Sequence, residues 1–191
     1  MSYFPIFINL EKKPCIIIGG GKVAHRKAAK LASYGANVTV IAPEIEEEIY
    51  QLQHTYESVT IKKKQYEATD LQGAFLVIAA TNQPEINHTV IQDATLTGAL
   101  TNNSIQDGED TGDMIFPATI QRGDLSIGIT TNGKSPELSA RLRAEIEQLL
   151  PEGIEESINK LGTMRENVKK TVADEGERRA IIKDMVDDTF F

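Results

Sequence analysis

The sequence predicts an α/β fold: a doubly wound parallel sheet, then a β-hairpin, then a C-terminal helical region. Three observations predict it. Strand-like apolar runs alternate with helix-like segments through the N-terminal half, the pattern of a parallel sheet with helical crossovers. The stretch CIIIGGGKVAHRKAAKLASYGANVTVIAPE, Cys15 to Glu44, runs strand, glycine turn, helix, strand. The polar, acidic, glycine-bearing NNSIQDGEDTGD then breaks the alternation near Asn102.

The strand-like runs are Pro14–Ile18, Asn37–Ile41, Val59–Lys62 and Phe75–Ala80. Val23–Ser33 joins the first pair as a helix, with Val23, Lys27, Lys30, Leu31 and Tyr34 mixing apolar and basic faces. Glu44–Gln53 and Pro84–Leu96 are further helices. After the loop, Ile115–Ile120 and Leu125–Thr130 flank the turn QRGD. Leu125, Ile127 and Ile129 alternate with Ser126, Gly128 and Thr130, so the hairpin has one apolar face. A lone hairpin is marginal in water and must pair with the sheet or with another subunit. Ser135 then serves as an N-cap, Pro136 takes the first helical position, and Glu137 suits the positive helix end. Leu138, Leu142, Ile146, Leu149 and Leu150 form an apolar stripe that Pro151 terminates. A second helix carries Ile154, Ile158, Leu161, Val168 and Val172; Asp174–Gly176 interrupts, and Arg178–Val186 forms a short last helix. The expected division is therefore 1–113, 114–150 and 151–191.

Composition narrows the function. With 191 residues, 40% hydrophobic and 25% charged, the chain is an ordinary globular protein. A formal net charge of −8 argues against nucleic-acid binding, which normally shows a basic face. It also requires any anionic ligand to be met by a local basic patch. No apolar run is long enough to span a bilayer, and MSYFPIFINLEKK lacks the basic-then-apolar order of a signal peptide. Cys15 is the single cysteine, which excludes a disulfide framework and fits a reducing cytoplasm. Opening a buried strand, it reads as a small core residue. His25, His54 and His88 are too scattered for a metal motif, so no metal ligand is assigned.

Gly19-Gly20-Gly21-Lys22-Val23-Ala24 fits G-x-G-x-x-A. The first glycine permits a tight strand-to-helix turn, the second lets backbone approach a pyrophosphate, and Ala24 lets the helix lie close to the strand. The helix N-terminus offers N–H groups and partial positive charge to phosphates. The acid that usually binds the ribose at the end of the second strand is missing: Ile41-Ala42-Pro43-Glu44 stands there, and Glu44 comes late. Backbone around Ala42–Glu44 can take its place. No Lys or Arg lies between Val38 and Glu48 to hold a 2′-phosphate, which favours NAD over NADP, with Lys22 and Arg26 the nearest cations. AATN, Ala79–Asn82, ends a strand at the switch point, where Thr81 and Asn82 can hydrogen-bond a cofactor or simply shape a polar turn.

FPIFINL, IIIGGGKVAHRKAAKL, GANVTVIAPE, FLVIAATN, FPATIQRGDLSIGITTNGKSP and GERRAIIKDM occur in the order seen in the precorrin-2 dehydrogenase / sirohydrochlorin ferrochelatase family, the dehydrogenase module of siroheme synthase. The resemblance spans nearly the whole chain. It implies a Rossmann-type domain, a dimerisation region at the hairpin and a helical C-terminus, assembled as a homodimer. It implies NAD-dependent oxidation of precorrin-2, a tetrapyrrole, to sirohydrochlorin, with iron insertion added in some relatives. Carried over by position, Gly19, Gly20, Gly21, Lys22, Val23, Ala24, Pro43 and Glu44 contact NAD. Relatives often read Asn-Val-Val-Asp after the fifth strand, with the aspartate as base. Here Asn102 matches the asparagine and joins the cofactor set, while the aspartate position falls on or near Ile105. Asp107 is the candidate base in its place, with Asp110 and Asp113 in the same lengthened loop.

The substrate implied carries many carboxylates, so basic and amide groups should line its cleft. Arg122, Asn132, Lys134, Ser135 and Arg141 are the candidates, Ser135 doubling as N-cap. Arg141 and Arg143 cannot both face one way on a helix. Three readings follow: an NAD-dependent dehydrogenase; the same enzyme with chelatase activity; or a non-catalytic NAD-binding redox sensor.

Overall fold

The computed structural model describes residues 3–104 and 112–190. The chain divides into two compact units, Met1–Ile115 and Phe116–Phe191.

The first unit is built on five parallel strands: β1 (Pro14–Ile18), β2 (Asn37–Ile41), β3 (Val59–Lys62), β4 (Leu76–Ala79) and β5 (Leu100–Asn103). Their order is β3-β2-β1-β4-β5, all pairs parallel, so the order reverses between β1 and β4. The central strands read PCIII, NVTVI and LVIA because helices cover both faces and both sets of side chains must be apolar. Cys15, Ile17, Val40, Val77 and Ile78 are fully enclosed. Burial pushes the Cys15 thiol up to about 11, so it behaves as the core residue the sequence suggests. β3 sits at the edge and carries Thr60 and Lys62 outward.

Three helices cross over: α1 (Lys22–Ser33), α2 (Glu47–Thr55) and α3 (Pro84–Thr97). Ala24 and Ala28 are wholly buried, which lets α1 approach β1 closely. The expected α2 started at Glu44; it starts at Glu47 because the Glu46 N–H donates to the Gly20 carbonyl at 2.9 Å and holds the preceding residues out of the helix. β5 has no strand-like run in the sequence, since LTNN is too polar to read as a central strand.

The second unit begins with the hairpin β6 (Ala118–Arg122) and β7 (Leu125–Ile129), antiparallel with Arg122 opposite Leu125. It starts later than the expected Ile115, for Pro117 has no N–H to give a ladder. Helices α4 (Pro136–Leu149), α5 (Ile154–Thr171) and α6 (Glu175–Phe190) follow. The last helix is longer than expected: Asp174 Oδ1 accepts the Glu177 N–H at 2.8 Å and caps the helix ahead of the glycine. Among the described residues of this unit only Ile120, Ser139 and Val168 are buried. The α4 stripe finds little cover; Leu138 is 47% and Leu149 81% exposed. No helix among the described residues is long and apolar enough to cross a membrane.

The turn after β4 is held by a buried asparagine. Asn87 Oδ1 accepts from the Thr81 N–H at 3.0 Å and from the Thr81 hydroxyl at 2.7 Å, and Asn87 Nδ2 donates to the Thr81 carbonyl at 3.1 Å. Asn87→Ala strands these groups and should lower unfolding free energy by about 2–3 kcal/mol. Chemical denaturation checks it; an unchanged midpoint would show that the turn does not depend on Asn87.

Candidate functional site

The glycine turn sits at the carboxyl end of the sheet, between β1 and α1. Gly19 has φ +130°, a conformation that side chains rarely adopt, and a Cβ there would strike the Ala80 carbonyl. A Cβ on Gly20 would strike the Glu44 carbonyl. Gly20, the free position of the sequence pattern, is thus required by the loop after β2, which folds back over the turn. The Gly19 N–H donates to the Ile41 carbonyl and the Glu46 N–H to that of Gly20, both at 2.9 Å. Above Gly21 the space is open except for Glu46 Oε1, 3.9 Å from where a Cβ would stand.

The first turn of α1 follows directly. It holds no acidic residue, and Lys22 and Val23 are exposed while Ala24 is buried. This end of α1 therefore presents N–H groups and the positive end of the helix dipole beside the open space over Gly21, with an exposed lysine in the same turn. The glycines are short of side chains where a pyrophosphate would lie, so the residues fit a dinucleotide. Pro43 and Glu44 are exposed beside the turn. Glu46, which the sequence pattern passed over, carries a buried Oε2 without a hydrogen-bond partner. Ser104, after β5, carries a second such oxygen. Both lie beyond strand carboxyl ends, where parallel sheets bind ligands.

At the neighbouring strand ends the candidates separate. Thr81 is taken up by Asn87 and by the Gln83 carbonyl, so its hydroxyl shapes the turn. Asn82 is exposed. Asn102 is buried; its Oδ1 accepts from Lys27 Nζ at 2.9 Å and its Nδ2 donates to the Met114 carbonyl at 2.8 Å. Asp113 Oδ2 accepts from the Thr101 N–H at 3.1 Å and hydroxyl at 2.8 Å, pinning the loop's end onto β5. Asp113 is thereby a tether. Ile105, Asp107 and Asp110 lie outside the described residues.

In the second unit the basic candidates meet acids. Arg122 Nη2 and Arg143 Nη1 clasp the two oxygens of Glu147 at 2.6 and 2.7 Å, and Arg141 Nε meets Glu145 at 3.1 Å. The two arginines of α4 thus pair separately, as helical geometry requires. Asn132 and Gly133 have φ 53° and 77°, two successive left-handed residues that suit an Asn-Gly turn. The turn leaves Asn132 and Lys134 exposed. Ser135 Oγ accepts the Leu138 N–H at 3.2 Å, the N-cap role. Among the described residues no group of three or more His, Cys, Asp or Glu is placed to hold a metal ion.

Lys27 is the ionisable group most altered by this site. Burial, and then Arg26, push it down to about 8 from 10.5. Between those values the unfolded chain binds a proton that the native chain does not, so this group makes folding more favourable as pH rises through that window. Lys27→Met should therefore lose the rise in stability between pH 8 and 10.5. Urea unfolding at several pH values checks it; parallel curves for both proteins would refute the shift.

Comparison with known proteins bears on both units. The family model described as "Putative NAD(P)-binding" matches residues 6–118. The model described as "Sirohaem biosynthesis protein central" matches residues 122–149. Siroheme synthase 3 of Aeromonas hydrophila is 37% identical over 179 residues, 94% of this chain and 38% of that protein. Siroheme synthase of Psychrobacter sp. is 38% identical over 172 residues, 90% of this chain and 35% of that protein. The chain thus spans well under half the length of these curated relatives. Among solved structures, "SirC, precorrin-2 dehydrogenase" superposes with a TM-score of 0.77 at 23% identity, covering 98% of this chain and 91% of that one, which establishes the shared fold. With its glycine turn inside the matched span, the chain belongs to the NAD(P)-binding family of the first model, and behind that domain it carries the sirohaem biosynthesis central segment.

Proposed function

We propose that this chain is an NAD-dependent precorrin-2 dehydrogenase that forms sirohydrochlorin on the route to sirohaem, acting as a cytoplasmic homodimer. One observation carries the reading: a dinucleotide cradle is joined, in one chain, to a sirohaem biosynthesis central segment. The printed name of the structural neighbour, a precorrin-2 dehydrogenase, points the same way. The single buried cysteine suits a reducing compartment.

NAD, when bound, supplies the acceptor for a hydride. The work of the chain is to hold and orient. Gly19 and Gly20 close the turn, Gly21 leaves backbone open to the pyrophosphate, and Lys22 and Val23 offer the helix end. Lys27 holds Asn102 at the end of β5, which keeps that strand end fixed beside the cradle. Arg122, Asn132, Lys134 and Arg141 are the groups of the second unit suited to a substrate bearing several carboxylates. Asp107 is the proposed proton acceptor. The homodimer is supported by the second unit itself: two buried apolar side chains, Ile120 and Val168, and an exposed apolar stripe on α4 are too little for a unit of its size to stand alone.

Mixed with precorrin-2 and NAD in the absence of metal, the chain should convert the visible spectrum to that of sirohydrochlorin, and only when NAD is present. NAD binding without conversion would move the reading to a non-catalytic redox sensor. Sedimentation should give twice the mass of one chain at micromolar concentration, and a monomer there would remove the homodimer.

A further inference from the structure

Acids outnumber bases 28 to 20 in the chain, yet α1 carries four bases and no acid. We propose that the outer face of α1, the ridge Lys22–Arg26–Lys30, captures the carboxylates of a tetrapyrrole and concentrates it at the mouth of the dinucleotide cradle. The inference rests on the reading of the chain as a tetrapyrrole dehydrogenase and adds to it a binding surface of the first unit.

Three observations single out this face. The helix reads KVAHRKAAKLAS, whereas every other α-helix among the described residues holds at least two Asp or Glu. Ala24, Ala28, Leu31 and Ala32 are its buried positions; Lys22, Arg26 and Lys30 stand on the opposite side, about 6 Å apart along the axis. Lys22 and Arg26 are exposed, and the Lys30 ammonium lies 5.0 Å over the Tyr34 ring, which orients it without neutralising it. None of the three takes part in the ion pairs among the described residues, although Arg122, Arg141, Arg143 and Arg179 all do. Glu46, which borders Gly21, is in none of those pairs either, so it does not neutralise Lys22.

This arrangement works against the helix. Like charges at i, i+4 repel one another. Lys22 holds the first helical position, where the dipole favours an acid. Arg26 also bears on Lys27: after burial, it is the charge that pushes that amine down to about 8. Arg26→Glu would turn both of its repulsions into attractions. A chain rich in acids that places none here maintains a local positive field, and the fold gains nothing from it. Charge and extent select the occupant. Three cations spread over about 12 Å suit an anion with several carboxylates along one rim rather than a single acid group. The substrate of the proposed reaction is such an anion, and the arginines of the second unit are already shared with Glu145 and Glu147. Lys22 also opens the cradle, so an anion drawn to the ridge is held at its entrance.

Fluorescence titration of the whole chain with uroporphyrin, a stable porphyrin ringed by carboxylates, tests the ridge at low and at physiological salt. The wild-type chain should bind uroporphyrin at least about tenfold more tightly than coproporphyrin, which bears fewer carboxylates, and added salt should narrow the difference. Arg26→Glu should weaken uroporphyrin about tenfold while raising the urea midpoint, a combination that a structural role does not give. Lys30→Glu should weaken uroporphyrin by about threefold to tenfold and leave NAD affinity within about threefold, since at physiological salt it lies beyond a Debye length of about 8 Å from Lys22. Uroporphyrin binding unchanged in both variants would overturn the inference. So would an Arg26→Glu chain whose urea midpoint falls along with its binding, for Arg26 would then be part of the fold. Single-stranded RNA held more tightly than uroporphyrin through the same residues would assign the ridge to phosphate polymers and overturn it as well. Precorrin-2 left unoxidised, with uroporphyrin binding still dependent on Arg26 and Lys30, would remove the dehydrogenase reading and leave the ridge standing.

Discussion

The structure of the first unit depends on a close meeting of backbones at the glycine turn. Gly19 lies against the Ala80 carbonyl, Gly20 against that of Glu44, and hydrogen bonds from the Gly19 and Glu46 N–H groups join the turn to the end of β2 and the loop after it. Neither glycine leaves room for a methyl group. This one constraint closes the sheet's carboxyl edge, delays the start of α2 and bares the first turn of α1. It also ties Glu46, five positions past the strand, to the turn, with Oε1 3.9 Å from where a Cβ on Gly21 would stand. In the proposed cradle the turn that would hold the cofactor is also the turn that closes the sheet's edge, so a side chain at either glycine has to displace backbone.

The two units are stabilised differently. The first encloses nearly all of the buried apolar residues, and its strand-end turns are satisfied from inside: Asn87 satisfies the turn after β4, Asp113 that after β5, and Lys27 and Met114 the side chain of Asn102. The second has a hairpin, three helices and almost no core. An amphipathic pattern of the kind seen in α4 is selected by burial, so an uncovered stripe signals a surface meant to be covered.

This contrast explains what could be read from sequence alone. The central strands, α1 and α3 were readable because each combines a strong period with clear punctuation: β-branched runs, a glycine turn, Pro84 at a helix start. β5 was not, because LTNN spends its polar side chains on long-range bonds to Asp113, Lys27 and Met114, which no local pattern announces. The glycine turn was recognisable as a motif. The role of Gly20 was not, for it is set by a carbonyl from beyond β2. Thr81 and Ser135 were read with two roles each, and the hydrogen bonds show the shaping role of both.

The arginines of the second unit pose the sharper question, since a proposed polycarboxylate substrate must find cations in a chain of net charge −8. Arg122, Arg141 and Arg143 are already paired with Glu147 and Glu145. The Arg141–Glu145 pair is solvent-exposed and the two on Glu147 partly so, and exposed pairs contribute about 0–1 kcal/mol. A substrate carboxylate that offers a guanidinium an equivalent pair gives up almost nothing in the exchange. The resident acids meanwhile hold the arginines oriented, which lowers the entropy still to be lost on binding. Pairing at the surface is thus compatible with recognition: Glu147 keeps Arg122 and Arg143 close together in an acidic protein, where without it they would repel one another, and it leaves them open to a better-matched anion.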